Sequence, residues 1–151
     1  MRILVVSDNH YDEGVLQEVL LKEKNIDLYL HAGDSEMSEA ALRPFISVKG
    51  NNDYLINVPF RIINTTFYNI YLTHGHLERN YKTLVTRAKY HDCKIVIHGH
   101  THRSSFKKVD DVFIVCPGAL NYPRGGESRR YAIIEIDDKN GRVDVKFFDL
   151  L

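Results

Sequence analysis

The first half of the chain alternates strand-like apolar runs with apolar residues at helical spacing. The runs predict three strands, at residues 2–7, 27–30 and 45–48. The helical spacing follows the first run, at Val15, Leu16, Val19 and Leu20. Ser35 is a suitable N-cap for a second helix over residues 36–42, which Pro44 would end. This β-α-β-α-β order predicts parallel strands joined by helical crossovers.

The second half of the chain is richer in hairpins. Three predicted pairs of strands cover residues 61–64 with 67–73, 106–109 with 112–115, and 131–136 with 142–148. Asn140 and Gly141, in the turn of the last pair, form the strongest short hairpin signal. A helix is expected over residues 81–90 and a strand over residues 94–97. The whole pattern predicts an α/β fold in which two mixed sheets pack face to face with the helices outside.

Polar clusters of Asp, Asn and His follow five of the predicted strands. They are Asp8-Asn9-His10, Gly33-Asp34, Gly50-Asn51-Asn52-Asp53, Thr73-His74-Gly75-His76 and Gly99-His100-Thr101-His102. Ligands of open α/β sheets gather outside the carboxyl ends of the strands, so we expect these side chains to meet at one rim. Seven of them are candidate metal ligands: Asp8, His10, Asp34, Asn51, His74, His100 and His102. This number of nitrogen and oxygen donors matches two divalent ions and favours Mn, Fe, Ni, Co or Zn over Mg or Ca.

The same motifs, in this order, resemble those of the calcineurin-like metallophosphoesterase superfamily. That family carries DxH, GDxx, GNxD, a His before Gly, and GHxH, and the likeness extends over nearly the whole chain. The short length and the segment from Pro117-Gly118 to Pro123-Arg124 resemble its small phosphodiesterase branch, which also contains the retromer's metallophosphoesterase-like subunit. The resemblance implies a four-layer α/β/β/α sandwich and a phosphoesterase with two divalent ions, of which manganese is the first choice.

The resemblance also implies a role for each motif residue. One ion would be held by Asp8, His10 and His102, the other by Asn51, His74 and His100, and Asp34 would bridge them. A hydroxide between the two ions would attack a small organic phosphodiester. His74 would also stabilise the negative charge that develops on the phosphoryl group.

One position departs from the family pattern. The third motif usually has His before its final Asp, or Cys in many small members, whereas this chain has Asn52. Asn52 can hydrogen-bond a substrate but cannot protonate a leaving oxygen, which predicts poor hydrolysis of alkyl esters and better hydrolysis of aryl esters. His76 is a candidate replacement acid. Arg124, in the segment 117–130 without regular periodicity, is a candidate clamp for a substrate phosphate.

Composition narrows the range of partners. The chain has 20 basic and 20 acidic residues, which argues against an extensive nucleic-acid footprint or a polybasic membrane patch.

Its 151 residues suit a single domain over residues 1–151. Two distant cysteines, with no visible secretory signal or apolar span, predict a cytoplasmic protein. The expected partner is a small phosphodiester, and the exposed edges of the late hairpins leave a homo-oligomer open.

Two other functions stay open at this point. A binding or scaffold module on the same fold would account for Asn52 but would not need all seven metal donors. A phosphomonoesterase or a nuclease would use the same donors, although zero net charge disfavours tracking along a nucleic-acid strand. The preferred hypothesis is an enzyme, a metal-dependent phosphodiesterase.

Overall fold

Two five-stranded mixed sheets organise this chain, whose computed structural model describes residues 1–151. In chain order the elements are β1 (Arg2–Val6), α1 (Glu13–Lys22), β2 (Leu28–His31), α2 (Glu39–Leu42), β3 (Ile46–Ser47), β4 (Phe60–Asn64), β5 (Asn69–Thr73), α3 (Tyr81–Tyr90), β6 (Ile95–Ile97), β7 (Ser104–Val109), β8 (Val112–Pro117), β9 (Arg129–Ile136) and β10 (Val143–Leu150). The sheets have the orders β10-β9-β1-β2-β3 and β4-β5-β6-β8-β7. Strands β1, β2 and β3 are parallel, as are β5, β6 and β8, and the other strands extend both sheets in antiparallel pairs.

Alternate side chains of the central strands face opposite sides, and this builds the layers. In β1, Ile3 and Val5 face the apolar core between the sheets, whereas Leu4 and Val6 pack beneath α1. In the second sheet, Val96 packs beneath α3. Both faces of the central strands are therefore apolar, which is why β1 reads as a continuous hydrophobic run. The predicted four-layer α/β/β/α sandwich with its helices outside is confirmed.

The second helix is shorter than predicted. α2 begins after Ser38, whose side chain caps it, so the prediction of Ser35 as N-cap and of a helix from residue 36 is wrong. Ser35 Oγ instead accepts a hydrogen bond from Met37 N at 3.1 Å. Glu36 has a left-handed backbone with a φ of 57°, which a right-handed helix cannot include. These residues form a loop after β2 rather than the first turn of a helix.

The three hairpins and the helix over residues 81–90 are confirmed. β5 begins at Asn69, later than predicted, because Tyr68 N donates to Thr65 Oγ1 at 3.2 Å and extends the turn.

No helix here combines the length and the apolar composition that crossing a bilayer requires.

The carboxyl ends of the parallel strands of both sheets meet at one rim. Asp8 follows β1 and His74 follows β5, and Gly99, after β6, donates its N–H to His74 O at 2.9 Å. Gly99 must lack a side chain, since a Cβ there would clash with Ser7 Oγ and lie 2.8 Å from Asp8 Oδ2. The long segment between β8 and β9 is tied to the same rim, where Leu120 N donates to Ser7 O at 3.0 Å.

Replacing Ile134 by Ala tests the core between the sheets. Ile134 lies on β9 opposite Ile3 and is fully buried, so the shorter side chain leaves a cavity. We expect the free energy of unfolding to fall by about 2–5 kcal/mol, measured by urea denaturation. Leu21→Ala is the control, because Leu21 is 74% exposed on α1 and its truncation should cost little. Equal losses in the two variants would contradict this core.

His31, the last residue of β2, is fully buried and held as a neutral ring. Gly33 N donates to its Nδ1 at 3.0 Å, and its Nε2 donates to Asn9 Oδ1 at 2.8 Å. Burial lowers the pKa of His31 from 6.5 to about 4, in spite of the opposing charges of nearby carboxylates.

Stability should therefore depend on pH through His31. Below pH 6.5 the unfolded chain binds a proton at His31, whereas the folded chain does not until about pH 4. This contribution is fully present above pH 6.5, and we expect it to fall by up to about 3 kcal/mol as the pH drops to 4. The measurement is urea denaturation across this range with a chelator present. His31→Gln retains a donor for Asn9 and should lose this part of the pH dependence, so an unaltered profile in that variant would refute the buried neutral state.

Candidate metal centre

Asp8, His10 and His102 converge where the end of β1 meets the loop after β6. Asp8 Oδ1 lies 3.2 Å from His102 Nε2 and 3.8 Å from His10 Nε2. One ligand atom from each of the three residues lies within 4.8 Å of the other two. These are the residues predicted for one of the two ions.

The remaining predicted ligands surround His74. Its Nε2 lies 3.0 Å from Asn51 Oδ1, 3.3 Å from Asp34 Oδ2 and 3.9 Å from Asp8 Oδ1. His100 Nδ1 lies 3.2 Å from the same Asn51 oxygen. The fold thus brings all the predicted ligands together. Asp8 is common to both groups of donors, whereas the resemblance assigns the bridge to Asp34, and that role stays a prediction.

Two buried atoms at this point lack any hydrogen-bond partner: Asp8 Oδ1 and His10 Nε2. His102 Nε2 approaches Asp8 Oδ1 without the alignment of a hydrogen bond. Buried polar groups are almost always satisfied, and an uncompensated buried carboxylate oxygen is costly. Nitrogen and oxygen lone pairs that converge on one point are what a divalent transition metal requires. The residues present therefore fit a metal ion.

Backbone carbonyls fix which nitrogen of two histidines faces the centre. His74 Nδ1 donates to Ala32 O at 2.7 Å, and His102 Nδ1 donates to Tyr122 O at 2.8 Å. Each Nε2 then presents a lone pair inward, as in metal-binding histidines oriented by an outer hydrogen bond. For His74 this lone pair faces Asn51 Oδ1, and two acceptors 3.0 Å apart need a proton or a cation between them.

Sequence reasoning missed the carboxylate that holds His10. The sequence pattern favours Glu36 as a helix-start residue, but its Oε2 lies 3.1 Å from His10 Nδ1. The available signal was its place two residues after Asp34, at the end of the same strand. The carbonyls of Ala32 and Tyr122 carry no sequence signal, because every residue has a carbonyl.

Asp53 joins the loops that follow β2 and β3. Its carboxylate accepts hydrogen bonds from Gly50 N at 2.7 Å, Asp34 N at 2.9 Å and Glu36 N at 2.7 Å. Gly50 must also lack a side chain, since a Cβ there would clash with Asp34 Oδ1. Asn52 completes the arrangement by donating its Nδ2 to Asp34 Oδ2 at 2.9 Å. The position of the Asp34 carboxylate is therefore set by the loop after β3.

Five of the predicted ligands have a left-handed backbone: Asp8 (φ 58°), His10 (46°), Asp34 (57°), His100 (70°) and His102 (58°). Residues other than glycine seldom adopt this conformation, which costs about 1–3 kcal/mol each and is concentrated at functional sites. Asp and His tolerate it better than most residues. The strand ends thus turn sharply enough to direct successive ligands toward one centre.

Carboxylates and histidines shift one another's protonation. Burial raises the pKa of Asp8, but contacts with His102 and His74 outweigh burial and hold this pKa below its ordinary value. Burial also raises the pKa of Asp34, and its contact with His74 again brings the net value below the ordinary range. The contact with Asp8 raises the pKa of His102, and contacts with both carboxylates raise that of His74 against its burial. Two ionised carboxylates at the centre therefore attract positive charge at neutral pH.

A cavity of about 280 Å³ opens onto the centre. It is lined by His10, Asp34, Asn51, Asn52, His100, His102, Tyr122 and Arg124. Asn52 and Arg124, the predicted substrate contacts, thus form part of its wall. His76 does not line it: the ring of His76 lies 5.4 Å from that of His74 and 6.2 Å from that of His100. The structure places His76 beside the second group of donors, outside the cavity wall.

Comparison with known proteins agrees with this geometry. The profile of the Calcineurin-like phosphoesterase superfamily domain matches residues 1–139. Probable metallophosphoesterase YsnB of Bacillus subtilis (strain 168) is 31% identical, over 99% of this chain and 91% of its own length. A crystal structure from Streptococcus pneumoniae TIGR4, described as a conserved uncharacterized protein and predicted phosphoesterase, is also 31% identical. It superposes with a TM-score of 0.85 over 95% of this chain and 87% of that one.

The retromer subunit is a more distant neighbour. Wild-type Vps29 from Entamoeba histolytica, crystallised with Zn²⁺, has a TM-score of 0.73 and 22% identity, over 99% of each chain. This likeness shows a shared fold. The chain belongs to the calcineurin-like phosphoesterase superfamily.

Proposed function

We propose that this chain is a metal-dependent phosphodiesterase that holds two divalent ions and hydrolyses small organic phosphodiesters. The observation that carries the proposal is the pair of unpartnered buried atoms, Asp8 Oδ1 and His10 Nε2, where the predicted donors meet. Membership of a phosphoesterase superfamily supports it. Manganese is our first choice of ion, and Ni, Fe, Co and Zn are alternatives because the mixed nitrogen and oxygen donors suit them all.

We assign the donors to the two ions as the family resemblance implies. The assigned sets are Asp8, His10 and His102 for one ion, Asn51, His74 and His100 for the other, and Asp34 as the bridge. When bound, the two ions would lower the pKa of a water molecule and neutralise charge on the phosphoryl oxygens. The chain contributes the geometry, because the carbonyls behind His74 and His102 and the carboxylate of Asp53 hold the donors in place.

Neither cysteine offers a nucleophile for a covalent step. Cys93 and Cys116 are buried, and burial raises the pKa of their thiols to about 11 and about 12. Both therefore stay protonated at neutral pH and are unreactive. The proposed reaction is accordingly direct attack of water on phosphorus, without a covalent enzyme intermediate.

Arg124 and Asn52 are the proposed substrate contacts. Both line the cavity above the donors, where a guanidinium can clamp two phosphoryl oxygens. Asn52 already donates Nδ2 to Asp34, so it positions that carboxylate and has no proton to give to a leaving oxygen. His76, whose Nδ1 has no hydrogen-bond partner, stays the candidate replacement proton donor. It lies outside the cavity wall and burial lowers its pKa, so we expect it to protonate a leaving alkoxide poorly.

A phosphodiester suits this cavity better than a phosphomonoester does. Asn52, in the cavity wall, has no proton to give, so alkyl monoesters should be poor substrates, whereas diesters with an acidic leaving group can react. A scaffold is the second candidate function, and Asn52 favours it. The backbone of the five predicted ligands with positive φ argues against a scaffold. Their strain costs free energy, and a scaffold that used another surface would have no need of it. We also propose that the enzyme is cytoplasmic, because both cysteines are free. Residues 1–151 are proposed to form one domain.

Hydrolysis of bis-p-nitrophenyl phosphate by metal-stripped protein refilled with Mn²⁺ tests the proposal. We expect manganese-dependent release of p-nitrophenol, reduced by about 100-fold or more in His74→Ala because a ligand is lost. His91→Ala is the control, since His91 caps the far end of α3 and packs on Phe60, and it should retain activity. Two bound ions without turnover would favour the scaffold, and failure to bind metal would overturn the centre itself.

Asn52→His tests the missing general acid. A histidine at this position can protonate an alkoxide, so hydrolysis of a dialkyl phosphate should rise by about 100-fold. The aryl diester should gain little, because nitrophenolate leaves without a proton. The measurement is the ratio of kcat for the two substrates, with phosphorus NMR for the dialkyl phosphate. Asn52→Gln, which cannot titrate, is the control, and the same ratio in both variants would remove position 52 from proton transfer.

A further inference from the structure

A second cavity, lined by cations, lies beside the metal centre. Its volume is about 500 Å³, and Arg103, Lys107 and Arg124 line it with Tyr81 and Thr101 between them. This is within the usual size range of small-molecule sites, about 300–1,000 Å³. The volume and the lining are suited to an anionic group rather than to an apolar one.

The charges of these three cations are not compensated. Arg103, Lys107 and Arg124 take part in none of the salt bridges of the chain. Glu127, the carboxylate that reaches this wall, accepts hydrogen bonds from Ser104 N at 2.9 Å and Ser104 Oγ at 3.0 Å. Glu127 Oε1 also lies 3.6 Å from Nη1 of Arg130, a residue that does not line this cavity. In a chain with no net charge, this cavity is a local concentration of positive charge.

Arg103 and Lys107 lie against neighbouring residues, although both are exposed. The side chain of Arg103 lies against Gly125, where a Cβ would come 3.2 Å from the arginine Nε. The ammonium of Lys107 lies 4.3 Å from the centre of the Tyr81 ring, within cation–π distance.

The basic cavity is continuous with the metal centre through Arg124. This residue lines both cavities. Thr101 lines the basic cavity, whereas its neighbours His100 and His102 line the other. The two cavities therefore adjoin along residues 100–102 and share Arg124. A small molecule with its reacting phosphoryl group at the centre can reach the cations with a second group.

We propose that Arg103 and Lys107 bind a second phosphate group of the substrate, next to Arg124, which contacts the reacting phosphoryl group. The preferred substrates would then be small phosphodiesters that carry an additional phosphate monoester. A phosphate monoester has up to two negative charges and several acceptor oxygens, which the guanidinium of Arg103 and the ammonium of Lys107 can engage together. This inference rests on the proposed function, because it assumes that the reacting phosphodiester occupies the metal centre.

Two esters that differ in one phosphate test this specificity. They are the p-nitrophenyl ester of thymidine 5′-phosphate and the same ester with a 3′-phosphate, and both release p-nitrophenol. We expect the Mn²⁺-loaded protein to have a kcat/KM about tenfold higher for the 3′-phosphorylated ester, with the difference in KM. In Arg103→Ala/Lys107→Ala this preference should fall to about twofold or less.

A matched double variant separates a specific site from general electrostatics. Arg142→Ala/Lys146→Ala removes the same two side-chain types from exposed positions near and on β10, and it should keep the preference. An equal loss in both double variants would overturn the proposal, as would a wild-type protein without any preference.

Binding without turnover keeps the two proposals distinguishable. Calorimetry with thymidine 3′,5′-bisphosphate and thymidine 5′-phosphate needs no hydrolysis. If neither ester is hydrolysed, the proposed function fails, but a tighter complex with the bisphosphate that Arg103→Ala/Lys107→Ala weakens would still support the phosphate site. Equal affinity for the two nucleotides would overturn it.

Discussion

The buried carboxylate of Asp8 is the constraint on which the rest of this structure depends. It lies with no exposure between two sheets, and one of its oxygens has no hydrogen-bond partner. A charge in this position is tolerable only if positive charge or donors surround it. Three histidine Nε2 atoms lie within 4 Å of this oxygen, each from a different loop, and a cation bound among them would meet this requirement. The sheets must therefore pack so that the ends of β1, β5 and β6 meet at one point.

Most of the fold follows from the sequence because its signals are local. Apolar runs buried on both faces define the parallel strands, and Asn140-Gly141 closes the last hairpin as expected. The start of α2 was predicted wrongly because contacts near the metal centre, rather than local helix propensity, set the conformation of this segment. Ser35 and Glu36 resemble a helix start, but Asp53 takes the N–H of Glu36 and holds the segment as a loop. A contact between residues 36 and 53 is not visible in a local pattern.

The residue types of the candidate site could be predicted from the sequence, but the groups that hold these residues in place could not. Motif spacing places Asp, Asn and His at strand ends, and the structure brings these side chains together. The backbone carbonyls that orient His74 and His102, and the left-handed turns that direct the ligands, depend on three-dimensional packing. The need for Gly50 and Gly99 could not be predicted either. Atoms of other loops leave no room for a Cβ at these two positions, whereas their own backbone turns do not require glycine.

The distribution of charge separates the tasks of the two parts of the site. Ionised carboxylates lie at the bottom and hold positive charge there, whereas arginine and lysine lie at the rim. An anionic substrate of the proposed kind would therefore meet the cations of the rim before it meets the carboxylates. Asn52 lies in the cavity wall, hydrogen-bonded to Asp34, and contributes no charge of its own. Hydrolysis in this chain should therefore depend on how well the leaving group bears negative charge, since position 52 supplies no proton.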